Sequence, residues 1–111
     1  MELLRDYFDT IRERAQREPA FCQALLREGI ELMFGGDFDT GISMLRNYIN
    51  ATSGFVELAR KTDIPLQSLQ RMFGPKGNPR AAKLFRVIRS LLEAESVSVV
   101  IKLHPSTEQT G

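Results

Sequence analysis

One cysteine, Cys22, and one histidine, His104, are all that the sequence holds of these two residue types. A lone cysteine excludes an intramolecular disulfide, and one residue of each kind cannot assemble a Cys/His zinc cage within a single chain. Also missing is any run approaching the roughly 20 apolar residues of a membrane span. The opening MELLRDYFDT carries acids where a secretory leader has a basic region and a long apolar core. A cytoplasmic protein with no membrane association is the expectation. No glycine-rich phosphate loop, nucleophile elbow or metal-ligand spacing is present, so a non-enzyme without metal or cofactor is expected. At 111 residues, 42% apolar and 26% charged, the chain has the composition of one ordinary folded domain.

The formal net charge of +1 conceals an asymmetry along the sequence. Residues 1 to 51 hold six basic against nine acidic side chains, a balance of −3, while residues 52 to 111 hold nine against five, a balance of +4. The contrast peaks between Arg60 and Arg89, where eight basic residues face one acid, Asp63. Such a segment fits a polyanion. Charge alone is equally compatible with a solvated helical surface.

Apolar periodicity predicts helices over residues 2 to 17, with Leu3, Leu4, Tyr7, Phe8, Ile11 and Ala15 inward, and from Pro19 to Phe34, with Phe21, Leu25, Leu32 and Met33 inward. Gly35 and Gly36 end the second, giving a helical hairpin over residues 1 to 36, too small to hold a core alone. Asp37 or Asp39 caps a third helix, with Phe38, Ile42, Leu45 and Ile49 as its stripe, running to about Asn50. A fourth covers about Phe55 to Lys61, and Asp63 supplies a sharp turn because Asp tolerates a left-handed backbone. Pro65 opens a fifth helix reaching about Phe73; residues 74 to 79 form a loop; a sixth runs from Arg80 to about Glu93, burying Ala81, Leu84, Val87, Ile88 and Leu91. Val97 to Leu103 switches to β-branched residues and reads as one short strand, followed by a polar tail over 105 to 111. Cys22 reads as a small core residue.

The fourth and fifth helices carry the most specific pattern. A helix-turn-helix needs a small residue where its helices touch, a turn residue able to take positive φ and apolar wedge residues. Ala59, Asp63 and the set Leu58, Ile64, Leu69 and Met72 fill those places. The run LARKTDIPLQSLQRMFGPKGNPRAAKLFRVIRSL resembles the lambda-repressor-like (XRE-type) helix-turn-helix family, close to the branch containing antidote proteins of addiction modules. The resemblance covers about residues 38 to 103. It departs at Asp63, where glycine is usual, at Pro65, where a serine or threonine cap is usual, and at Phe55, where many members carry a phosphate-touching glutamine.

The expected fold is all-α, a lambda-repressor-like helix-turn-helix domain over 37 to 95 with the N-terminal hairpin over 1 to 36 and, over 96 to 104, the short strand as a candidate dimer contact. The resemblance places Leu66, Gln67, Gln70 and Arg71 toward base edges in the major groove, and Lys76, Asn78 and Arg80 on phosphates; Thr52 and Ser53, at the N-terminus of the fourth helix, are candidates for further phosphate contacts. Arg60, Lys61, Lys83, Arg86 and Arg89 are expected on a solvated face. The implied activity is that of a homodimeric regulator, in the sense of a repressor, on a palindromic double-stranded DNA operator. The alternatives are an antidote that also binds a toxin protein, with the acidic hairpin as its neutralising arm, and a protein-interaction module that does not bind DNA. The strand is the expected dimer contact because a lone strand leaves its ladder unpaired, with Leu4, Phe8 and Ile11 of the hairpin as the competing surface.

Overall fold

The computed structural model describes residues 2–106, without the side chains of residues 2–6 and of Phe8. The expected contacts of Leu3, Leu4 and Phe8, and the tail beyond residue 106, lie outside the described residues. Among the described residues six helices follow one another: α1 (Glu2–Arg17), α2 (Pro19–Phe34), α3 (Phe38–Ala51), α4 (Gly54–Thr62), α5 (Leu66–Met72) and α6 (Ala81–Ala94). The fold is all-α. Among the described residues no helix is long and apolar enough to cross a membrane.

Local chemistry fixes the boundaries. Pro19 occupies the first turn of α2, where its missing N–H would have no intrahelical partner. The helix ends in paired turn bonds, Asp37 N–H to the Leu32 carbonyl and Gly36 N–H to the Met33 carbonyl, with Gly36 at φ 99°. Asp37, rather than Asp39, caps α3 by accepting from the Thr40 N–H at 3.3 Å. The same pair of bonds closes α6, from Val97 to Leu92 and from Ser96 to Glu93, with Ser96 at φ 54°.

One core runs from Ala15 to Leu91, centred on Leu26, Leu45, Tyr48, Ile49, Leu58 and Val87. The most extensive contact is between α2 and α3, and it turns the inward side of α2 away from the one expected. Cys22, Leu26, Gly29 and Ile30 are buried, whereas Phe21, Leu25, Leu32 and Met33 are only half-buried. The reason is steric: Gly29 and Gly41 let the two backbones close. A Cβ on Gly41 would collide with Met33 Cγ and stand 2.7 Å from the Gly29 carbonyl oxygen. Phe38 and Ala81, expected inward, are exposed.

The strand expected over 97 to 103 does not form in the single chain. Residues 97–106 form neither helix nor strand, and no ladder involves them among the described residues, because their neighbours are helices and a strand needs another strand to exchange hydrogen bonds with.

Candidate nucleic-acid interface

The display of α5 follows from how α4 and α5 are joined. Leu58 and Thr62 bury one side of α4, and the Thr62 hydroxyl donates to the Leu58 carbonyl at 2.7 Å, so burial leaves no unmet donor. Asp63 then adopts the left-handed conformation at φ 57° and ψ 33°, reversing the chain within a residue or two. Ile64 is buried, and Pro65, extended at φ −55° and ψ 141°, leads into α5. Its carbonyl accepts the first bond of that helix, from the Leu69 N–H at 3.0 Å. Phe55 packs on the buried Phe73, their ring centroids 5.8 Å apart, which gives the aromatic at that position a packing role.

Burial of Leu69 and Met72 turns the opposite side of α5 outward. Gln67, Gln70 and Arg71, at spacings of three and four, form an exposed row, with Leu66 and Ser68 half-buried beside it. The loop after α5 is pressed against the end of that helix. A Cβ on Gly77 would run into the Met72 carbonyl oxygen and stand 2.5 Å from that of Arg71. Only glycine therefore fits, and the flanking Lys76 and Asn78 are held beside the last turn of α5. Arg46, from α3, donates to the Phe73 carbonyl at 2.7 Å and fixes the same end from inside.

These constraints gather Arg71, Asn78, Arg80 and Lys83 around a concavity of about 200 Å³, with Ser68, Met72 and Pro79 completing its wall. Among the described residues no carboxylate pairs with Arg71, Lys76, Arg80 or Lys83. Of the other basic side chains between Arg60 and Arg89, two face a carboxylate and Arg86 a neutral carbonyl. Arg60 bonds Glu57, whose carboxyl is held below its usual range by that contact; Arg89 lies 3.8 Å from Glu93; Arg86 donates weakly to the Thr62 carbonyl. Lys83, expected on a solvated face, instead belongs to the concavity. The signal was its position three residues after Arg80, on the same side of α6.

Thr52 and Ser53 do not join this group. The Thr52 hydroxyl donates to the Tyr48 carbonyl at 2.7 Å and its N–H is directed at the carbonyls of Tyr48 and Ile49, so its donors close α3. Thr52 also lines a different concavity, with Glu95 and Cys22. The Ser53 hydroxyl is exposed and donates to the Gly54 carbonyl at 3.2 Å. Cys22 is buried, and burial, reinforced by Glu95, raises its thiol pKa. Among the described residues no cluster of three His, Cys, Asp or Glu side chains is placed to hold a metal ion.

The chain matches no protein family, no curated protein and no solved structure.

Proposed function

We propose that this protein is a sequence-specific DNA-binding regulator, a repressor acting as a homodimer, in which α4 and α5 form a helix-turn-helix and α5 enters the major groove. The observation that carries the reading is the exposed row Gln67, Gln70 and Arg71, which continues into a basic concavity free of carboxylates. Glutamine can pair bidentately with adenine and arginine with guanine, and the half-buried Leu66 offers an apolar edge to a thymine methyl. Lys76, Asn78, Arg80 and Lys83 supply the phosphate contacts that position the helix. The resemblance of residues 38 to 103 to lambda-repressor-like regulators points the same way, and it rests on the motif residues alone.

The test is a binding titration against the promoter region of the protein's own operon and against unrelated duplex, each at two salt concentrations. Arg71→Ala and Gln67→Ala should each weaken the specific complex by about 1–3 kcal/mol while leaving non-specific binding nearly unchanged. Lys76→Ala, Arg80→Ala or Lys83→Ala should weaken both, each reducing the salt slope by about one phosphate contact. A chain that binds neither duplex in a salt-sensitive manner refutes the reading. Equal losses on both duplexes for Arg71→Ala would move that side chain from bases to phosphates.

A further inference from the structure

The large apolar side chains left exposed are concentrated in one region. Phe34 and Phe85 are 69% and 59% exposed, and with Met33, Phe38, Leu84 and Ile88 they line a groove of about 720 Å³. It lies between the end of α2, the start of α3 and the outer side of α6, and only Asn78 and Arg89 contribute polar groups. The left-handed Ser96 turns the following segment onto this region, where Val99 and Ile101 line the groove. Val97, Ser98, Val99 and Val100 line a second, smaller concavity that includes Leu26 and Ile30 of α2, so Val99 borders both. Val100 and Leu103 remain 85% and 91% exposed.

A monomer rarely leaves so many adjoining apolar side chains open to water. A β-branched segment that forms no ladder among the described residues, set beside an apolar groove, leaves backbone groups and apolar surface to water at once, and one occupant answers both. We infer that the groove is the interface between two copies of this chain, closed by the 97–103 segment of the second copy. Antiparallel pairing of the two segments across a two-fold axis satisfies the facing ladder groups of both. It also lays the second copy's side chains over Phe34 and Phe85. A two-stranded ribbon is marginal by itself, but here it rests on α2 and α6. The three phenylalanines, at roughly 150–250 Å² each when fully buried, leave on the order of 250–400 Å² open. The aliphatic segment extends this patch toward the ~800 Å² per partner of a standard interface. The same patch serves both copies, so assembly stops at two.

The inference rests on the DNA-binding reading only for its functional consequence. Asn78 and Pro79 line both the apolar groove and the basic concavity. Seating the second copy therefore fixes the loop that carries the phosphate contacts, and dimerisation strengthens DNA binding beyond the effect of having two half-sites.

Sedimentation equilibrium of the full chain tests this. The wild type should be dimeric at micromolar concentration. Phe85→Glu and Ile101→Glu each place a charge in the groove and should raise the dimer dissociation constant by about 100-fold or more. Circular dichroism should show both variants still helical; Ile101 lies outside every helix, so its substitution leaves the core intact even if Phe85→Glu does not fold. Val56→Glu, 73% exposed on α4 and outside the groove, should stay within about twofold of wild type. The monomeric Ile101→Glu protein should still bind a single half-site weakly, whereas the double variant Gln67→Ala/Arg71→Ala should remain dimeric. A dimer dissolved by these glutamates that binds no DNA sustains the interface and removes the DNA-binding reading. A wild type that stays monomeric at about 100 μM, leaving the groove to another protein or a small apolar ligand, overturns the inference. So does a dimer indifferent to Ile101→Glu.

Discussion

Replacing Gly41 by alanine opposes two effects of known size, and the structure says which prevails. In a helix interior this substitution ordinarily stabilises by roughly 0.8–1 kcal/mol, because alanine loses less backbone freedom on folding. Here the new methyl would collide with Met33 Cγ and stand 2.7 Å from the Gly29 carbonyl oxygen and 3.1 Å from the Met33 nitrogen. Met33 is half-buried and can rotate aside. The Gly29 carbonyl belongs to the α2 backbone and can yield only if α2 and α3 part. A radial gap of about 0.5–1 Å forfeits a quarter to a half of each dispersion contact it opens, and it would do so along the most extensive helix pair in the molecule. Overpacking of this kind typically costs about 1–3 kcal/mol, so the net expectation is a loss of about 1–2 kcal/mol. For a chain of this size that lowers the melting temperature by roughly 5–15 °C. Gly29→Ala is the companion measurement. Its methyl would meet mainly Leu45 Cδ2, at 3.0 Å, a side chain that can shift; its stability should stay within about 1 kcal/mol of wild type. Thermal and urea unfolding followed by circular dichroism decide the matter. A Gly41→Ala protein as stable as wild type, or more stable, would mean that α2 and α3 do not approach as closely as described.

Gly77→Ala should lower stability by about 1–3 kcal/mol and weaken binding to all DNA sequences, because its methyl meets backbone carbonyls that cannot rotate away; an unchanged melt together with an unchanged salt slope would show that the loop is not seated against α5. Tyr48→Phe should cost about 1–2 kcal/mol near neutral pH by removing the 2.5 Å bond to Glu95. Burial, and then that bond, raise the folded pKa of Tyr48 above its ordinary value, so the unfolded chain loses this proton near pH 10 while the folded chain keeps it. The tyrosine's contribution is therefore fully present below about pH 10 and declines above it. A stability difference between the two proteins that stays constant from pH 8 to 11 would contradict this assignment.

Helix boundaries were legible because each has a local chemical cause. Pro19, the Gly35–Gly36 pair, the Asp37 cap and the turn at Asp63 act within four residues of where they stand. Which side of a helix faces inward was legible where large apolar side chains make the contact, as in α6, where Leu84, Val87, Ile88 and Leu91 are buried. It failed in α2, whose dominant neighbour, α3, approaches through Gly29 and Gly41. The deciding residues there are glycines, and glycine adds nothing to an apolar stripe. The C-terminal segment misled for a different reason. Alternation describes which way side chains point, but a strand exists only through its partner, and none lies among the described residues. In the candidate interface, the exposure of Gln67, Gln70 and Arg71 followed directly from the burial of Leu69 and Met72. The exclusion of Thr52 did not, since a hydroxyl at a helix junction can serve the helix before it or a ligand beyond it, and the sequence is the same in either case.

What the sequence hides most completely is the set of polar tethers radiating from α3. Arg46 reaches the Phe73 carbonyl, 27 residues away, and Tyr48 reaches Glu95, 47 residues away. Neither pairing has a spacing that could announce it. Tyr48 was obliged to find a partner, because it is fully buried and a buried hydroxyl without an acceptor is costly. The consequence is mechanical. α3 is locked to α2 by glycine-mediated contact, to the end of α5 by an arginine and to the end of α6 by a tyrosine. The two ends it holds are the places where the exposed row of α5 runs into the 74–79 loop and where the chain turns toward the apolar groove. A change in how α2 and α3 pack would therefore be felt at both surfaces, at the groove directly, since Met33 lines it and lies against Gly41.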